Sequence, residues 1–259
     1  SPLAGRERPT RAGLVCGVSP WSLPNSSAAV DGRPLIHDGQ YVRPAITSLP
    51  SVRGAEDRAV RDHFASSAQI ELSSVWTFLR LAAELTAAGA PGELIARALD
   101  AADDEVRHAE LCSQAAGGVG LAALPMIAAR PRFTTRSPRT LATLAVEAWL
   151  EGCLNETAAA EEARLAARDA EINVEMLTAI ARDEDRHAEL SWEVLAWVFE
   201  VAPAVARAAI SDAPAAIAVA SPSQDPALAR SGVAGSRISR AARAHAELAG
   251  RRRLRALAA

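Results

Sequence analysis

A charged octapeptide repeated almost letter for letter constrains this chain more than any other feature. DEVRHAEL occupies Asp104–Leu111 and DEDRHAEL occupies Asp183–Leu190, identical at seven of eight positions. A solvated helix face does not need the same letters in the same order; two segments that build one site together do. Each copy contains Glu-x-x-His: Glu105 with His108, and Glu184 with His187. Residues three apart are neighbours on one helix face, so each pair can bind one cation. One such spacing alone fits many solvated stripes with i,i+3 charge pairs. Its duplication points to two helices that face each other across a shared site.

The rest of the chain supplies helices for this. Its 259 residues are enough for a large core. Alanine, leucine and valine dominate and aromatics make up 4%, which predicts mostly α structure. Helical pattern runs over 55–88, and GAPGE at 89–93 stops one helix and starts the next. The second helix carries the first octapeptide and ends at Gly117-Gly118. A third starts after Ser137, with Pro138 as its first residue, and runs to about 168. A fourth covers about 171–200 with the second octapeptide, and Pro203 stops it. Short first and third connections make antiparallel hairpins. The roughly twenty residues between the hairpins can span up to ~66 Å when extended, enough to recross a bundle. The expected architecture is all-α: an irregular proline-rich arm (1–54), a four-helix bundle with a long crossover between its second and third helices (55–200), then short helices and an Arg-rich tail (201–259).

Composition limits the function. A net charge of −3 argues for neither a nucleic-acid nor a membrane partner, and no apolar run is long enough to cross a bilayer. Cys16, Cys112 and Cys153 form no CxxC pair or disulfide framework, so a reducing cytoplasm is the expected location. GLVCG at 13–17 has no apolar stretch before it and reads as no lipid-attachment signal.

Each Glu-x-x-His needs a further carboxylate. In the first helix Glu71 is the only acid between His63 and Ala83, set among Ile70, Leu72, Val75 and Trp76, where it is costly unless paired or metal-bound. In the third, Glu147 and Glu151 stand one turn apart among apolar residues. Glu71 precedes Glu105 by 34 residues and Glu151 precedes Glu184 by 33, which makes Glu151 the expected counterpart of Glu71. The expected ligands are Glu71, Glu105, His108, Glu151, Glu184 and His187. Four carboxylates balance two divalent cations, and without metal they would repel and take up protons. Oxygen and imidazole donors suit iron or manganese.

This ligand set resembles that of the ferritin-like di-iron carboxylate proteins, in which two helices give one Glu each and two give Glu-x-x-His. The fuller double Asp-Glu-x-Arg-His string is similar to that of the hydroxylase subunits of bacterial di-iron monooxygenases. The resemblance covers residues 55–200. It implies a ferritin-like four-helix bundle and two iron ions, with manganese or one of each as the alternative. It implies that Asp104 and Asp183 accept the ring N–H of the histidine on the opposite helix, and that Arg107 and Arg186 pair with those acids or with helix ends. Glu147 is then either an extra ligand, as in rubrerythrin-like sites, or an acid just outside the ligands. Asn155, one turn after Glu151, is either a polar pocket residue or a buried amide. Cys112, one turn after His108, lines the pocket or is an inert core thiol.

The function so implied is an O₂-activating oxygenase or oxidase acting on a small organic substrate, with an electron-donor protein and a second copy of the chain as optional partners. The alternative is ferritin-like iron oxidation and storage, or peroxide detoxification. Against it stand the missing CxxC module of rubrerythrins and the long arm that ferritin cages lack. A radical generator is disfavoured because the sole tyrosine, Tyr41, lies in the arm. A metal-free structural bundle is the remaining reading.

Overall fold

Local sequence signals set the helix ends. The computed structural model describes residues 33, 35–37, 40–124, 130–213 and 226–258. Helix α1 (Ala55–Ala88) ends at Gly89, whose φ of 70° is left-handed and suits glycine. There the Ala90 amide donates to the Leu85 carbonyl at 3.0 Å, closing the helix end. Three residues later α2 (Gly92–Ala115) begins and packs back along α1, so the pair is an antiparallel hairpin. Ser137 caps α3 (Pro138–Glu147) by accepting from the Thr140 amide at 3.1 Å, with Pro138 in the first turn. The helical run then widens into a π-helix over Ala148–Glu156 and resumes as α4 (Thr157–Asp169). Helix α5 (Val174–Val201) returns along α4 and the π segment.

Pro203 does more than stop α5: it opens α6 (Pro203–Asp212), which packs on α3. After α7 (Pro226–Arg230), α8 (Ser236–Ala258) lies along α4. Its Arg-rich end is anchored to α5. Arg253 donates to both Glu189 oxygens at 2.6 Å and lies over the Trp192 ring, 4.7 Å from its centroid.

The arm holds short strands where an irregular chain was expected: β1 (Ile36–His37) pairs with β2 (Gln40–Tyr41). β3 (Ile46–Ser48) pairs antiparallel with β4 (Gly120–Leu121), tying the arm to the segment after α2. Further bonds fasten the arm to α1, among them Gln69 Nε2 to the Pro44 carbonyl at 2.6 Å. Trp21 and Cys16 lie outside the described residues. Among the described residues, no helix is long and apolar enough to cross a membrane.

The core is split into two apolar halves. One gathers Phe78–Ala88, Leu94–Ala102, Leu141–Leu154 and Leu190–Phe199. The other gathers Phe64–Ala68, Cys112–Ala116, Ala163–Ala166 and Met176–Ala181. On α1, α2 and α5, and where the π segment meets α4, the halves are separated by one polar level. That level contains Glu71, Glu105, His108, Glu156, Glu184 and His187, all buried.

Leu85 is fully buried in the first half. Leu85→Ala should therefore lose about 2–5 kcal/mol of stability in urea unfolding of the full chain. A loss under about 0.5 kcal/mol, the range of surface substitutions, would contradict the packing.

Candidate metal centre

The polar level forms two overlapping clusters. Glu71, Glu105, His108 and Glu184 each offer one donor atom, all within 4.8 Å of one another; Glu156, Glu184 and His187 do the same. Glu184 belongs to both. Around a cation with bonds of about 2.0–2.2 Å, neighbouring donors stand roughly 3–4 Å apart. His187 Nδ1 lies 3.3 Å from Glu105 Oε1 and 3.4 Å from Glu184 Oε2, and His108 Nδ1 lies 3.7 Å from Glu184 Oε1. Both Glu105 oxygens, Glu156 Oε2, Glu184 Oε2 and both Nδ1 atoms are buried without a hydrogen-bond partner. Buried polar atoms are rarely orphaned, and here they converge. This donor set fits divalent cations.

The two histidines are held from behind. His108 Nε2 lies 3.1 Å from Asp183 Oδ2, and His187 Nε2 lies 3.2 Å from Asp104 Oδ2, each across the α2–α5 interface. An Nε2–H donated to a carboxylate leaves the Nδ1 lone pair facing inward. Arg107 bridges Asp104 and Asp183 at 2.6 and 2.5 Å, and Arg186 bridges the same two acids at 2.7 and 2.6 Å. The repeated letters thus build a near-symmetric cross-brace. Burial would raise the Asp104 carboxyl, but bonds from His187 and Arg107 outweigh it and hold it at about 2. Asp183 is held well below its ordinary value by His108 and both arginines, again against burial.

Without metal, protons take the place of cations. Burial would lower His108, but Asp183, Glu105 and Glu184 raise it to about 9. His187 is likewise raised by Asp104, Glu105 and Glu184. Burial first, then the adjacent Glu184, push the Glu156 carboxyl well up.

Of the expected ligands, the structure brings together Glu71, Glu105, His108, Glu184 and His187. Glu151 is in neither cluster, and Glu156 is there instead. The hairpin geometry explains this. Glu71 lies 17 residues before the end of α1, and Glu105 13 after the start of α2. Glu156 and Glu184 lie 13 and 10 residues from their own hairpin ends, whereas Glu151 would be 18 from its end. Counting from the turn, instead of between acids, would have found Glu156. Glu151 sits level with the first apolar half. Burial and the neighbouring Glu147 raise its carboxyl to about 7, against the pull of Arg33, Arg80 and Arg132.

Glu147 is not in either cluster. It is held by Arg132, which also donates to Glu84 Oε1 at 2.8 Å. Asn155 accepts from Arg243 of α8 at 2.6 Å, as a buried amide with a partner. Sequence reasoning missed Arg33 as well as Glu156. The guanidinium of Arg33 is buried in the bundle, its Nε donating to Glu156 Oε1 at 3.0 Å and its Nη2 to Ser191 Oγ.

A cavity of about 70 Å³ opens beside the clusters, with Glu71 and Glu184 on its wall. Phe64, Cys112, Met176 and Ile180 give it an apolar lining, and His63 and Glu162 add polar groups. Cys112 is thus both a core residue and part of the cavity wall. No protein-family model, no curated protein and no solved structure matches the chain.

Because the metal-free imidazoles hold protons, metal binding near neutral pH must expel them. Adding Mn(II) to metal-free protein at pH 7 in weak buffer should release protons, and apparent affinity should climb with pH until His108 deprotonates near 9. Binding that releases no protons and is flat from pH 6 to 9 would contradict this arrangement.

Proposed function

We propose that the chain is a ferritin-like di-iron protein that activates O₂ to oxidise a small organic substrate. One observation carries the reading: four buried carboxylates and two imidazoles converge on one level, Glu105, Glu156, Glu184 and both imidazoles with donor atoms that lack a hydrogen-bond partner, braced by the crossed Asp–His pairs. Oxygen and imidazole donors without thiolate suit iron, with manganese the alternative. Glu71, Glu105, His108 and Glu184 would hold one ion, and Glu156, Glu184 and His187 the other. The paired helical hairpins agree with a ferritin-like bundle.

Two ferrous ions held by these residues would supply electrons for the reduction of O₂, and an external donor protein would restore them. The chain's own residues do the rest. Asp104 and Asp183 keep the Nε2 protons in place, so the imidazoles present lone pairs and do not tumble. The apolar halves on either side keep bulk water out. Arg33 holds Glu156 Oε1, and the proton that this carboxyl favours in the metal-free chain would leave as Oε2 takes the cation. The mostly apolar walls of the cavity next to Glu71 and Glu184 support a small organic substrate over iron storage, and its volume of about 70 Å³ limits that substrate to a few heavy atoms.

The test is elemental analysis after anaerobic Fe(II) loading, followed by O₂ uptake. The expected result is two irons per chain with O₂ consumption, and loss of about half or more of the iron in His108→Ala or His187→Ala. Full iron in both variants, or a single zinc in the wild type, would overturn the proposal.

A further inference from the structure

The crossed Asp–His–Arg brace treats the two helices alike, but the inner clusters are not alike. One has four donor residues and the other three. The second also has a neighbour the first lacks. Arg33 reaches in from the arm, ahead of every bundle helix in the chain, and is 2% exposed. Its Nε donates to Glu156 Oε1 at 3.0 Å, its Nη2 donates to Ser191 Oγ, and its guanidinium lies over the Phe78 ring, 5.2 Å from the centroid. Its backbone carbonyl accepts from Ser74 Oγ at 2.9 Å, and the Leu35 amide donates to Ser73 Oγ at 3.4 Å. A Cβ on Gly152 would overlap both Ser191 and the guanidinium, so the π segment carries a glycine where the arginine passes. This is a built seat for one side chain.

A guanidinium is always charged and offers donors in a fixed plane. Here it takes one oxygen of Glu156 and leaves Oε2, buried and without a hydrogen-bond partner, on the side of Glu184 and His187. We infer that Arg33 is the positioning residue of the second cation site: the arm reaches into the bundle to aim Glu156, so the three-donor position depends on the arm and the four-donor position does not. The inference rests on the proposed metal reading of these clusters. Groups that orient a ligand from behind typically change metal affinity about 10- to 100-fold when removed. The two ions should therefore bind in sequence, the Glu71–Glu105–His108–Glu184 position first.

The probe is Co(II), titrated into the metal-free full chain and followed by equilibrium dialysis and visible absorption. Wild type should take up two ions in two steps. Arg33→Leu, which keeps apolar bulk against Phe78, should leave the first step and its spectrum unchanged and weaken the second about 10- to 100-fold. Arg33→Lys should recover part of the loss. Ser191→Ala, which removes the guanidinium's other anchor without a change of charge, should weaken the second step alone. It serves as the deciding variant if Arg33→Leu fails to fold by circular dichroism. Unchanged second-step binding in Arg33→Leu, or in Ser191→Ala where that variant decides, would overturn the inference while leaving the metal reading intact. So would equal weakening of both steps. A wild type that binds no Co(II) would overturn both.

Discussion

Glu71, Glu105, Glu156 and Glu184 are at most 4% exposed and lie on one level of an otherwise apolar interior. Taking several carboxylates out of water costs several kcal/mol each unless opposite charge meets them. Much of the surrounding structure answers that cost. Two imidazoles face the acids, two aspartates fix the imidazoles from behind, and two arginines bind the aspartates at the boundary with solvent. Even so, buried oxygens and both Nδ1 atoms still lack hydrogen-bond partners, and the metal-free chain responds by holding protons on His108, His187 and Glu156. The apolar halves above and below make this charge expensive, and they also make it useful, since they exclude water and strengthen every interaction inside.

Much of this arrangement was legible in the sequence, for identifiable reasons. Glycine and proline punctuate the chain at Gly89 and Pro138, so those helix ends follow from local chemistry. Glu71 is a lone acid in an apolar stretch, and the repeated octapeptide identifies Glu105, His108, Glu184 and His187. Separations between acids point to Glu151 as the fourth carboxylate, but the cluster contains Glu156. In an antiparallel hairpin it is distance from the turn that sets the level, and the π segment that contains both candidates shifts the register further. Glu147 and Glu151, which looked like Glu71 in composition, face the arginines near Arg132. Apolar neighbours in sequence did not distinguish an acid of the shared polar level from one held by a guanidinium, as Glu147 is by Arg132.

Arg33 was not legible by any pattern. It lies in a proline-rich arm without periodicity, and its partners Glu156 and Ser191 are 123 and 158 residues away. Only tertiary structure connects them. The same contact breaks the near-twofold symmetry that the duplicated motif imposes. The outer brace of aspartates and arginines is balanced between α2 and α5. The inner level is not, because one carboxylate is aimed from the arm. A pair of similar hairpins can in this way carry two inequivalent donor clusters without losing the common scaffold.

The most direct test of the account is anomalous diffraction at the iron edge from crystals grown with anaerobically loaded protein. Two peaks about 3.5–4 Å apart are expected, the spacing found in two-metal sites. Glu184 should lie between them, both histidines should coordinate through Nδ1, and Glu156, not Glu151, should be the ligand from the π segment. A single peak, no peak at this level, or an ion bound by Glu151 would contradict it.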